Sequence, residues 1–247
     1  MKKAKKILAI CLALVMLSLA GVSATASDYP SSARFDDVQR GDWFYHDTWI
    51  AYIIGITRGV SENPPLFAPL QETTRAEFVT MLGRTHEAEA YANGTIEYNK
   101  GQNPYVDIDL SSFYAPYVLW ATERGIVQGD GLGHFRPSDP ITRQEMAVML
   151  YRYIYVYDFQ AYFPPPWRDL INIQYVDRDA VAVWAVDAAE WLGAHGVVNG
   201  VLTADESDHM LRYFKPNTHL IRAEAVALLI RVAAPMGPIF YPMDGLG

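Results

Sequence analysis

The stretch Phe135-Arg136-Pro137-Ser138-Asp139-Pro140-Ile141-Thr142-Arg143-Gln144-Glu145 has a counterpart on each side of it in the chain. Upstream stand Phe67-Ala68-Pro69 and Thr74-Arg75-Ala76-Glu77; downstream stand Phe214-Lys215-Pro216 and Ile221-Arg222-Ala223-Glu224. Further landmarks precede each in the same order. The first copy has Phe35-Asp36-Asp37-Val38, Trp43, Gly55-Ile56 and Gly59. The second has Tyr105-Val106-Asp107-Ile108, Phe113, Gly125-Ile126 and Gly129, and the third has Tyr175-Val176-Asp177, Trp184, Gly196-Val197 and Gly200.

The spacings identify a duplicated unit. Asp37, Asp107 and Asp177 are 70 residues apart both times. In every copy the aromatic precedes the first glycine by 12, the glycines are 4 apart, and phenylalanine precedes arginine by 8. The aspartate-to-aromatic step is 6, 6 and 7, and the loop from second glycine to phenylalanine is 8, 6 and 14. Rigid blocks are joined by one elastic loop.

Each unit predicts two helices. The first runs from the aromatic to the glycine, with Trp49, Ile50, Ile53 and Ile54 in copy one, Val118, Leu119 and Ala121 in copy two, and Val186, Ala189 and Leu192 in copy three. The glycine that follows has the place of a helix-terminating residue. The second helix opens at Thr74 or Thr142, where threonine followed three residues later by glutamate forms a capping box. Behind it, Phe78, Val79, Met81 and Leu82, then Met146, Val148, Met149 and Leu150, then Val226, Leu228, Leu229 and Ile230 are the expected core.

The units are placed at 31–90, 101–157 and 171–234, with 235–247 as a loose tail and no second domain left over. Ahead of them, Lys2, Lys3, Lys5 and Lys6, an apolar run from Ile7 to Ala20 and Ala24-Thr25-Ala26 read as a secretory signal peptide over 1–26. Its apolar run is too short for a transmembrane helix, and no later stretch is long enough to span a membrane. Cys11, the only cysteine, lies inside it; Ile10 is too large for the position before a lipoprotein cysteine. The mature chain is therefore expected to lack disulfides and thiol chemistry.

Composition narrows the functions. With 51% hydrophobic and 19% charged residues the chain is globular rather than disordered. Its net charge of −8 becomes −12 once four signal lysines are removed, which argues against a nucleic-acid partner. The six histidines, 46, 86, 134, 195, 209 and 219, show no metal-ligand spacing, and the acidic loop at 205–208 lacks the regular spacing of a calcium loop. No metal or cofactor is expected.

Aromatic-x-Asp, an aromatic residue (Trp in copies one and three), Gly-(Ile/Val)-x-x-Gly, Phe-x-Pro and (Thr/Ile)-Arg-(Ala/Gln)-Glu, found three times, resemble the repeats of the S-layer homology family, whose last motif reads Thr-Arg-Ala-Glu. The resemblance implies an all-α fold in which three tandem helical repeats form a pseudo-threefold, three-pronged spindle. It further implies a secreted protein of the cell wall and surface layer that holds a secondary cell-wall polysaccharide or peptidoglycan-linked glycan non-covalently, often one bearing pyruvylated amino sugars. Grooves between neighbouring repeats would hold it, and association with other surface-layer proteins is a further implication. Copy three departs from the pattern with Ile221 in place of threonine, and copy two has Phe113 in place of tryptophan.

The candidate glycan-binding set is Asp37, Trp43, Gly59 and Arg75 in copy one, Asp107, Phe113, Gly129 and Arg143 in copy two, and Asp177, Trp184, Gly200 and Arg222 in copy three. A cation in the first turn opposes the helix dipole, so the recurring arginine needs another reason. One is an anion site, in which the fork joins unpaired first-turn amides. The other is an ion pair with Asp37, Asp107 or Asp177 between units. The aromatics are either platforms for a sugar ring or core between units. Gly59, Gly129 and Gly200 either admit ligand close to the backbone or permit positive φ.

The expected function is that of a binding module, not an enzyme. The rival is a wall-active enzyme such as a glycan hydrolase, for which Glu77, Glu145 and Glu224 are the tempting acids. Their capping role accounts for them without catalysis, and no serine elbow or zincin motif appears.

Overall fold

Six of the periodic stretches fold as helices: α1 (Tyr45–Ile54), α2 (Arg75–Ala88), α3 (Ala115–Glu123), α4 (Arg143–Val156), α5 (Val186–Ala194) and α6 (Arg222–Ala233). The computed structural model describes residues 34–88, 96–99, 101–157, 160, 174–202 and 211–233. The expected signal peptide at 1–26, the acidic loop at 205–208 and the tail at 235–247 lie outside the described residues.

Each copy supplies a first helix (α1, α3, α5) that stops at its glycine and a second (α2, α4, α6) that opens at the motif arginine. Gly55, Gly125 and Gly196 stand at φ +90°, +70° and +71°, the left-handed turn that ends a helix and that a side chain would oppose. The capping box is complete twice. Thr142 Oγ1 accepts from the Glu145 amide while Glu145 accepts from the Thr142 amide, and Thr74 and Glu77 repeat the exchange. In copy three only half survives, because Ile221 has no acceptor: the Ile221 amide donates to Glu224 Oε2 at 3.2 Å.

All the residues expected in the core from α2, α4 and α6 are buried. In α1 the face is rotated from the one read in the sequence: Ala51 is buried and Ile53 is exposed. Within each copy the opening aromatic packs on the motif phenylalanine, Phe35 on Phe67, Tyr105 on Phe135 and Tyr175 on Phe214, with ring centroids 5.6, 5.6 and 5.2 Å apart.

The all-α expectation needs one correction. The elastic loop of copy one folds back as a hairpin of β1 (Ser61–Glu62) and β2 (Pro65–Leu66). In copy three, β3 (Gln174–Tyr175) pairs parallel with β5 (Leu211–Tyr213), which pairs antiparallel with β4 (Val201–Leu202). A loop that leaves a helix and returns beside its own start can satisfy its backbone by pairing the two arms. These ladders are short, and the described chain remains helix-rich.

The helices pack between copies rather than within them. α3 lies on α2, α5 on α4, and α1 on α6, so each first helix rests on the second helix of another copy. Copy three reaches back to copy one. At the centre three buried residues close a cycle of backbone hydrogen bonds: Thr73 donates to Leu220 at 2.8 Å, Leu220 to Ile141 at 2.9 Å, and Ile141 to Thr73 at 2.9 Å. No copy contains a complete set of its own backbone partners.

Candidate functional site

The motif arginines follow the same cycle. The Arg75 side chain of copy one donates through Nε to the Phe135 carbonyl of copy two at 2.9 Å and through a terminal nitrogen to Glu145 Oε1 at 2.8 Å. Arg143 of copy two donates to the Phe214 carbonyl of copy three at 2.7 Å and to Glu224 Oε1 at 3.2 Å. Arg222 of copy three donates to Glu77 Oε1 of copy one at 3.0 Å. Each guanidinium also lies over the ring of Phe135, Phe214 or Phe67, 4.9 to 5.8 Å from the centroid. All three arginines are buried. Burial pushes the pKa of Arg75 below its ordinary value and Glu145 pulls it back, the pattern of a charge removed from water with its partner.

This geometry corrects two expectations. The partner is the glutamate of the following copy, not Asp37, Asp107 or Asp177. Each glutamate therefore acts twice, one oxygen capping its own helix and the other holding the preceding arginine. Nor are the first-turn amides free. Arg75 and Ala76 donate to the carbonyls of Asp139 and Pro137, Arg143 and Gln144 to Thr218 and Pro216, and Arg222 and Ala223 to Gln71 and Pro69. The helix starts are capped by the next copy's loop, which leaves no anion pocket of bare amides.

The aspartates have a separate task. Asp37 accepts the amides of Phe67 and Ala68, Asp107 those of Phe135 and Arg136, and Asp177 those of Phe214 and Lys215, all at 2.7 or 2.8 Å. Ala68, Arg136 and Lys215 stand at φ +58°, +60° and +57°, a conformation that costs a side-chain-bearing residue about 1–3 kcal/mol. A carboxylate receiving two consecutive amides offsets that strain and fixes the Phe-x-Pro corner.

Among the second glycines, Gly59 and Gly200 have positive φ but Gly129 does not. Gly129 is required by proximity: a Cβ there would lie 2.4 Å from the His134 carbonyl oxygen and 2.7 Å from the Tyr105 ring. The returning arm of the loop and the opening aromatic close on all three glycines in this way, so the backbone approaches protein.

The aromatics behave differently. Trp43, Phe113 and Trp184 are 37%, 61% and 57% exposed, which removes the reading of them as core. Trp184 lines a cavity of about 300 Å³ between copies two and three, with Arg136, Asp139, Pro140, Thr142, Gln144, Glu145 and His219. Arg136 is half-exposed and reaches Glu145 at 3.1 Å and Asp139 at 3.5 Å; His219 contacts Glu72 of copy one at 2.9 Å. Of the residues expected at the site, Trp184 lines this groove, while Arg143 and Asp107 lie in the framework behind it. Arg136, Asp139, Gln144 and His219 went unread because they differ between copies. Variation inside an otherwise constant motif was the signal that would have found them.

Comparison with known proteins singles out copy two. The family model of the S-layer homology domain matches residues 104–147, and the chain carries that domain there. The chain is 27% identical to an endoglucanase of Bacillus sp. (strain KSM-635) over 76% of its own length and 18% of that protein. It is 28% identical to a cellulosome-anchoring protein of Acetivibrio thermocellus over 70% of its length and 34% of that protein, and 27% identical to cell surface glycoprotein 1 of the same organism over 70% and 7%. It thus spans a minor part of each relative. Among the described residues no helix is long and apolar enough to cross a membrane.

Proposed function

We propose that all three copies are S-layer homology repeats, arranged as a pseudo-threefold spindle, and that the protein is held at the cell surface by binding a cell-wall polysaccharide non-covalently. The observation that carries this reading is the groove between copies two and three. It offers an exposed indole beside donors and acceptors (Arg136 and His219; Asp139 and Thr142), the combination that fits the apolar face and hydroxyl rim of a sugar ring. The S-layer homology domain in copy two and the surface and anchoring proteins among the relatives support a wall location. An acidic or pyruvylated sugar would find Arg136 as its cation, since Arg136 is half-exposed though paired with Glu145 and Asp139, whereas Arg75, Arg143 and Arg222 are buried.

The chain acts in this reading as a binding module, not an enzyme. The carboxylates a hydrolase would need, Glu77, Glu145 and Glu224, are each engaged by a helix start and an arginine. Cosedimentation with purified cell-wall sacculi tests the proposal. Binding should disappear when the polysaccharide is chemically removed, and no soluble sugar should be released on incubation. Equal sedimentation with stripped sacculi would reject the polysaccharide as ligand, and steady sugar release would favour the enzyme.

A further inference from the structure

The cyclic pairing of the copies gives the residues of this groove counterparts at the other two joints, and several of them differ there. At the position of Arg136 the other copies have Ala68 and Lys215; at that of His219 they have Glu72 and Pro140. Phe113 replaces the tryptophan in the groove between copies one and two. The fourth difference is Gln144, whose counterparts are Ala76 and Ala223.

Gln144 ties the groove together. It is buried, and its carbonyl oxygen accepts the Ala182 amide at 3.0 Å while its side-chain nitrogen donates to Asn217 Oδ1 at 2.8 Å. Both partners belong to copy three. Ala182 stands two residues before Trp184, in the segment that carries the extra residue of this copy and that folds into the short 3-10 turns Arg178–Ala180 and Val183–Ala185. Alanine at positions 76 and 223 has no side-chain group for either bond. The longer segment and the glutamine that fastens it thus occur together, and they carry the indole that lines the groove with Arg136 and His219.

We propose that the grooves are unequal and that the one between copies two and three is the principal sugar-binding site, with Trp184 as its platform and Gln144 as a positioning residue. The inference rests on the wall-binding reading above and adds which groove carries it. A platform already fixed before the ligand arrives loses less freedom on binding than one on an untethered segment. The occupant is a sugar ring of the wall polysaccharide, because the lining alternates planar donors and acceptors beside an aromatic face.

Binding isotherms of the full chain on polysaccharide-bearing sacculi decide the matter. Trp184→Ala should weaken binding on the order of tenfold or more, as loss of an aromatic anchor does, and Phe113→Ala by less than about threefold. Trp43→Ala should fall between them. Gln144→Ala should weaken binding, and Gln144→Glu, which keeps an acceptor for the Ala182 amide, should recover part of the loss; a merely structural role would instead track the melting temperature. Trp184 is exposed, so its variant should melt with the parent. Parent-like binding by Trp184→Ala, or an equal or larger loss in Phe113→Ala, would overturn the inference while leaving the wall-binding reading intact. Failure of the parent chain to sediment with these sacculi would overturn both.

Discussion

The arginines at the centre and the aromatics at the rim occur once in every copy, and they meet opposite fates. Arg75, Arg143 and Arg222 are buried between a glutamate, a phenylalanine ring and the next copy's corner. Trp43, Phe113 and Trp184 face solvent, and what surrounds them changes from groove to groove. A residue repeated by duplication is thus constant for one of two reasons. At the centre the repeat contacts itself, so every copy must keep the same key and the same lock. At the rim it contacts something else, and each copy is free to diverge.

The comparison is most severely tested by taking the centre apart. An isolated fragment 101–157 would lose the carbonyls that accept the α4 amides, the partner of Arg143 and the helix on which α3 rests. It should be unfolded, with no cooperative melt by circular dichroism; a cooperative transition would show that the copies are independent. Next in size is Arg143→Ala, which strands Glu224 and the Phe214 carbonyl. Breaking a largely buried pair costs about 3 kcal/mol, or roughly 6–12 °C in melting temperature for a chain of this size. Arg222→Ala should cost less, because Arg222 Nε is buried without a hydrogen-bond partner among the described residues, whereas the Nε of Arg143 is bonded. Equal losses would mean that the third joint is as tight as the second.

A smaller effect should follow pH. His86 at the end of α2 lies against Trp120 and Tyr157 of copy two, with ring centroids 5.2 and 4.4 Å away. Burial, reinforced by Arg124, holds its pKa below the ordinary histidine value of 6.5. The unfolded chain therefore takes up a proton first as the pH falls. The stability from neutral His86 is complete above about pH 6.5 and declines below it, towards the lower pKa of the folded state. Melting temperature should drop between pH 7 and 5.5, and His86→Phe should flatten that slope; an unchanged slope would assign it to other groups. The smallest expected effect is at Ile221. Restoring the cap with Ile221→Thr is worth about 0.5–2 kcal/mol, less the apolar contact of a half-buried isoleucine. A rise of a few degrees is expected, and a fall would mean that the packing of Ile221 outweighs the missing cap.

Much of the framework was legible because it is local. A cap and its glutamate are three residues apart, a helix and its terminal glycine are neighbours, and the apolar faces of α2, α4 and α6 follow a fixed period. The partner of the arginine was not legible. Both Asp107 and Glu145 were available carboxylates to Arg75, and only the inter-copy geometry selects the second. The short ladders were missed because strands of two or three residues leave no alternation to read. The groove was hidden for a different reason: aligning the copies on what they share sets aside Arg136, Gln144 and His219, the residues that line it.

The cycle linking Thr73, Leu220 and Ile141 also imposes an order in time. Copy one is synthesised first, but α1 must wait for α6, and Arg222 of the last copy completes the capping glutamate of the first. Folding cannot be finished piece by piece as the chain emerges, because the final contacts join segments separated by some 150 residues and carry a corresponding loop-closure cost. The joint between copies one and three can close only once copy three is available.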